Sequence, residues 1–140
     1  MRQILLFAAL AASLALLSGC ALSRAKEEKA EDMPDKAAYH KLSAEEAYEM
    51  MASQEVVVVD VRTREEYDGG HIENAVLVPN ESIDSEMPEA LPDKEATLLV
   101  YCRSGRRSKD AAEKLLALGY QSVYDFGGVI DWPYELVKEG

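Results

Sequence analysis

The chain has 140 residues, 48% of them hydrophobic, and a formal charge of −11 at pH 7. That length suits one domain with a single core. So acidic a balance argues against a nucleic-acid partner.

Arg2 gives the chain a positive start, residues 4–17 are apolar or small, and "LSGC" closes the run at Cys20. This is the pattern of an export signal, and it is short for a membrane-spanning helix. "LSGC" resembles the bacterial lipoprotein lipobox, in which cleavage falls before the cysteine and that cysteine is lipidated. An ordinary secretory signal is the alternative. The lipobox reading divides the chain into a signal peptide over residues 1–19, the lipidated Cys20 with a charged tether over 20–38, and a folded domain over 39–140. It implies an exported protein in the cell envelope, held to a membrane by lipid on Cys20. A lipidated Cys20 cannot pair with Cys102, the only other cysteine. Residues 21–38 are rich in Ala, Lys, Glu and Asp with no apolar period, the composition of a solvated tether.

In the domain, "YHKL" (39–42) reads as a short strand. Ser43 and Glu46 form a capping box opening a helix, with Ala47, Met50 and Met51 on its inner face. "VVVVDV" (56–61) is a β-branched run suited to a strand buried on both faces, as in a parallel sheet. Thr63 and Glu66 repeat the capping box before a short helix that stops at Gly69-Gly70. "AVLVP" (75–79) predicts a strand, and the polar stretch 81–95 leaves room for one short helix. "ATLLVYC" (96–102) predicts another buried strand. The apolar period predicts a helix over 108–118, stopped by Gly119. "SVYDF" (122–126) is a last strand, and "GGVIDWPYELVKEG" a turn and closing helix, which Trp132 is expected to pack onto the sheet. Strands alternating with helices predict an α/β domain with a mostly parallel sheet.

Cys102 ends a predicted strand just before a helix. Arg103, Ser104, Gly105, Arg106 and Arg107 follow it. The amides of a curled loop there have no sheet partners and can converge on one anion, with the helix dipole adding to them. Such a nest lowers a cysteine pKa, and three arginines draw an anionic substrate. A cysteine that only fills the core needs neither the glycine nor the cations. Two histidines without ligand spacing argue against a metal site.

Three motifs now resemble the single-domain rhodanese-like sulfurtransferases: "VVDVRTREEYDGGHIENAVLVP", "CRSGRRS" and "YDFGGVIDW". The resemblance spans residues 42–132. It implies a five-stranded, mostly parallel sheet flanked by helices on both faces. It also implies a catalytic Cys102 that takes a sulfane sulfur from an anionic donor such as thiosulfate, as a persulfide, and passes it to cyanide or a thiol or protein thiol. The donor is then bound by the loop residues Arg103 to Arg107, first by Arg103 and Arg107, and no metal or organic cofactor is required. Asp60 and Arg62 are expected to fix a turn, and the residue matching His71 is structural in the family. An exposed lone thiolate in an exported protein is expected to oxidise without reductant.

Two other readings compete. Cysteine phosphatases and arsenate reductases place an arginine six positions after the cysteine, where this chain has Ser108. A carrier that holds a persulfide for one partner without general turnover would keep the same loop.

Overall fold

The computed structural model describes residues 38–139; the expectations for the signal, Cys20 and the tether lie outside them. Five strands form one sheet: β1 (His40–Lys41), β2 (Val57–Asp60), β3 (Val76–Leu77), β4 (Thr97–Cys102) and β5 (Ser122–Gly128). Every pairing is parallel, in the order β1-β5-β4-β2-β3. The helices are α1 (Ala44–Ser53), α2 (Arg64–Asp68) and α3 (Arg106–Ala117).

Strand alternation splits the core in two. Val59, Val61, Leu98, Val100, Cys102 and Val123 face Ala111, Ala112 and Leu115 of α3. Val58, Leu99, Tyr101 and Phe126 face Ala47 of α1 and Tyr67 of α2. Helices therefore cover both faces, and the central strands are buried on both sides, as their apolar runs require. Both predicted capping boxes form: Ser43 Oγ accepts from the Glu46 amide, and Thr63 Oγ1 from the Glu66 amide.

From β2 the chain moves outward to β3, and from β4 it moves the opposite way to β5. The reversal lies between the carboxyl ends of β2 and β4, where open α/β sheets place their ligands. Asp60 and Cys102 end those two strands.

The structure corrects four details. α3 begins at Arg106, two residues earlier than expected, because its first turn carries polar side chains outside the apolar period. The strand at 75–79 is only Val76–Leu77. The 81–95 stretch contributes no α-helix; the only helical turn there is a 3-10 turn at Asn80–Ser82. No closing helix forms among the described residues. A 3-10 turn at Val129–Asp131 is followed by an irregular tail, in which Val137 bridges antiparallel to His71. Pro133 disfavours helix at Trp132 and supplies no amide donor. Trp132 instead packs beside Phe126, with ring centroids 5.6 Å apart, and edge-on to Tyr134 at 4.9 Å.

Candidate active site

Cys102 sits at the carboxyl end of the central strand, and its residue is 0% exposed. Residues 103–105 turn sharply, and α3 starts at once. Gly105 caps that helix in a left-handed conformation, φ 99°, with no side-chain acceptor for the free first-turn amides. The sulfur takes that place: Gly105 N–H donates to Cys102 Sγ at 3.0 Å. Burial by itself raises the thiol pKa. The Ser108 amide and hydroxyl, with the Gly105 and Ser104 amides, outweigh that effect, and the net shift is downward. The sulfur is thus not the exposed thiolate expected.

The loop is held from below. The Ile130 amide donates to the Arg103 carbonyl at 3.2 Å. A Cβ on Gly128 would overlap the Arg103 carbonyl oxygen and come within 2.6 Å of Ser104 Cα. Gly128 is required there because two backbones touch.

The arginines divide. Arg103 and Arg106 are exposed and make no ion pair among the described residues. Arg107 forms a two-pronged bond to Glu66, at 2.8 and 2.9 Å. Chiefly through the Arg107 hydrogen bond, and despite some burial, the Glu66 carboxyl is pulled down to about 2. Arg107 therefore ties α3 to α2, with its charge balanced by Glu66. Of the expected loop residues, Gly105 touches the Cys102 sulfur through its amide, Arg107 is engaged by Glu66, and Arg103 and Arg106 are exposed.

At the neighbouring strand end, the buried Asp60 accepts from Arg62 Nη2 at 2.6 Å and from Tyr101 Oη at 2.6 Å. Arg62 Nη2 also donates to the Gly70 carbonyl at 2.8 Å. This pair fixes the turn after α2, as expected. His71 stacks on Tyr67 at 3.6 Å, with Nδ1 2.9 Å from the Tyr67 carbonyl oxygen. That is the structural role the sequence suggested.

Sequence reasoning missed Ser108, Asp125 and Lys41. Asp125 is fully buried and accepts from Tyr39 Oη (2.7 Å), Lys41 Nζ (3.0 Å), Ser108 Oγ (2.7 Å) and the Gly127 amide (2.8 Å). The available signal was an aspartate at an inward position of a strand, which needs partners.

A cleft of about 330 Å³, lined in part by Arg62, Glu66, Arg103 and Ile130, opens beside the loop. A larger one of about 660 Å³ lies between α1 and the tail, and its lining includes Tyr48, Trp132 and Tyr134 but no loop residue and no cysteine. Cys102 lines neither opening; the smaller one borders the loop through Arg103.

Residues 43–133 match the rhodanese-like domain family. Curated relatives include a tRNA uridine(34) hydroxylase of Yersinia pestis, 32% identical over 106 residues; the match covers 72% of this chain but only 30% of the relative. Among solved structures, a rhodanese with anions from E. coli is 35% identical, with a TM-score of 0.55, over 61% of this chain and all of that one. A rhodanese-like domain protein from Staphylococcus aureus is 31% identical, with a TM-score of 0.62, over 72% and 99%. A human single-domain sulfurtransferase is 26% identical, with a TM-score of 0.60, over 66% and 93%. By its sequence, its all-parallel sheet and its cysteine loop, this chain belongs to the rhodanese-like domain family.

Proposed function

We propose that this chain is a sulfurtransferase of the thiosulfate type, with Cys102 as the nucleophile. The observation that carries the reading is the sulfur in place of a helix cap, 3.0 Å from the Gly105 amide and buried beneath the loop. The Cys102 thiolate attacks the outer sulfur of thiosulfate. A bond forms between Sγ and that sulfur, the bond to the sulfonate sulfur breaks, and sulfite leaves with the electron pair. The persulfide is again an anion, which the same amides stabilise. Cyanide, or a thiol in the cell, then attacks the outer sulfur and returns the thiolate. Arg103 and Arg106 supply positive potential at the mouth, while Arg107 holds the loop from Glu66.

The phosphatase reading has less support, because Ser108 stands where an arginine would be needed and the Arg107 fork is engaged by Glu66. The RNA chemistry in the relatives' name is not carried over. The shared stretch is 30% of their length, and a charge of −11 offers no electrostatic footprint for RNA. We read the protein as acting in the cell envelope, anchored through lipid on Cys20.

Steady-state kinetics with thiosulfate and cyanide tests this reading. Parallel double-reciprocal lines and thiocyanate release are expected. Turnover of an aryl phosphate without thiocyanate formation would overturn it. Turnover only with a protein thiol, and none with cyanide, would favour the carrier.

A further inference from the structure

We propose that the larger cleft, between α1 and the tail, is a binding site for a small organic cation with an alkylated ammonium head. The cleft is lined by no loop residue and no cysteine, so the inference stands apart from the sulfur chemistry.

Its walls are aromatic. Tyr48 comes from α1, and Trp132 and Tyr134 come from the tail. The two tyrosine rings stack with centroids 3.9 Å apart and planes 17° from parallel. The indole stands steeply to both, at 60° to Tyr48 and 70° to Tyr134, with centroids 6.1 and 4.9 Å away. Three electron-rich rings from two parts of the chain therefore border one space, set in two directions. Tyr48 remains 46% exposed and Tyr134 36%, so the cluster is not closed over as a core would be.

The charge around the cleft has one sign. Its charged lining residues are Glu73 and Glu135, and no lysine, arginine or histidine lines it. Neither carboxylate makes an ion pair among the described residues. Rings and carboxylates select the same kind of guest. The face of an aromatic ring attracts a cation, tryptophan most strongly. Alkyl groups on the cation's nitrogen add apolar area to bury against the rings. A neutral apolar molecule gains the rings and nothing from the carboxylates, and an anion such as thiosulfate is repelled. The volume of about 660 Å³ suits a small molecule.

A second observation sets Trp132 apart from a packing residue. Its Nε1 is buried and makes no hydrogen bond among the described residues. Buried indole N–H groups ordinarily have partners, and leaving one without an acceptor costs stability. A ring held at the cleft wall at that cost points to a use beyond packing.

The test titrates the full chain carrying Cys20→Ser with choline chloride at constant ionic strength. Trp132 is the only tryptophan, so its indole N–H gives one side-chain signal in a proton–nitrogen correlation spectrum. Choline is expected to shift that signal saturably. Its neutral isostere, with a tert-butyl group in place of trimethylammonium, should bind about tenfold more weakly. Tyr48→Leu with Tyr134→Leu keeps apolar bulk, removes two rings and should weaken choline about tenfold. Glu73→Gln with Glu135→Gln should weaken it about threefold and lower its sensitivity to salt. No saturable shift with choline would overturn the proposal. Equal binding of choline and its isostere would also overturn it, making the cleft a plain apolar site, as would an affinity unchanged in both pairs of variants. If the leucine pair does not fold, the isostere and glutamine comparisons decide. Sulfur transfer is not part of the readout, so failure of the sulfurtransferase reading leaves this result intact.

Discussion

Two strand ends lie side by side at the carboxyl edge of the sheet, and they use charge in opposite ways. At the end of β2, Asp60, Arg62 and Tyr101 satisfy one another, and Arg62 also holds the Gly70 carbonyl. Arg62 Nε and Nη2 are both engaged by protein acceptors there. At the end of β4, the helix cap is empty of side chain, the amides point at a sulfur, and two arginines face solvent without a carboxylate. The first end is a closed circuit that shapes a turn. The second is an incomplete one that an anion completes. Charge density alone therefore does not mark the site; unmatched charge beside a nucleophile does.

If that contrast is right, Arg62→Met gives the largest effect on stability. It leaves Asp60 buried and unpaired, at a cost of about 3–5 kcal/mol by denaturant unfolding. Sulfur transfer per folded molecule should be retained, and a selective loss of transfer would move Arg62 into the site. Gly128→Ala comes next, at about 1–3 kcal/mol, since its Cβ meets loop backbone rather than a flexible side chain. Here transfer should fall further than stability, because the loop that carries the amides is displaced.

Glu66→Gln probes the partly buried brace between α2 and α3, worth about 1 kcal/mol or less. The Glu66 carboxyl lies at about 2 in the folded protein, below its unfolded value. Its contribution is complete above the unfolded value of about 4.3 and lost as pH falls towards about 2. The variant should therefore show a shallower fall in stability across that acid window. The smallest change in stability belongs to Arg103→Gln and Arg106→Gln, within about 0.5 kcal/mol. Yet these should raise the thiosulfate KM and reduce its sensitivity to salt. Unaltered kinetics in both variants would mean that the open arginines do not serve the donor.

The sheet was legible because "VVVV" and "TLLVY" can only be buried on two faces, and α1 and α2 because each carries its own capping box. The sulfur loop was legible because its parts are adjacent in sequence. The support beneath it was not. Lys41 and Asp125 are 84 positions apart, and Arg107 and Glu66 are 41 apart, so only the fold brings them together. Arg107 shows the consequence: its sequence position suggests donor binding, while its guanidinium is engaged by a helix cap residue. The tail was misread because "YELVKE" has helix-forming residues but follows Pro133, and its Val137 found a strand-like partner in His71.

The most direct measurement is the intact mass of the full chain carrying Cys20→Ser, freshly reduced, before and after thiosulfate, beside the same chain with Cys102→Ser. A gain of one sulfur atom on the first protein alone, removed by cyanide with release of thiocyanate, is the predicted result. No gain on the protein with Cys102 intact, or an equal gain on both, would contradict a persulfide cycle at Cys102.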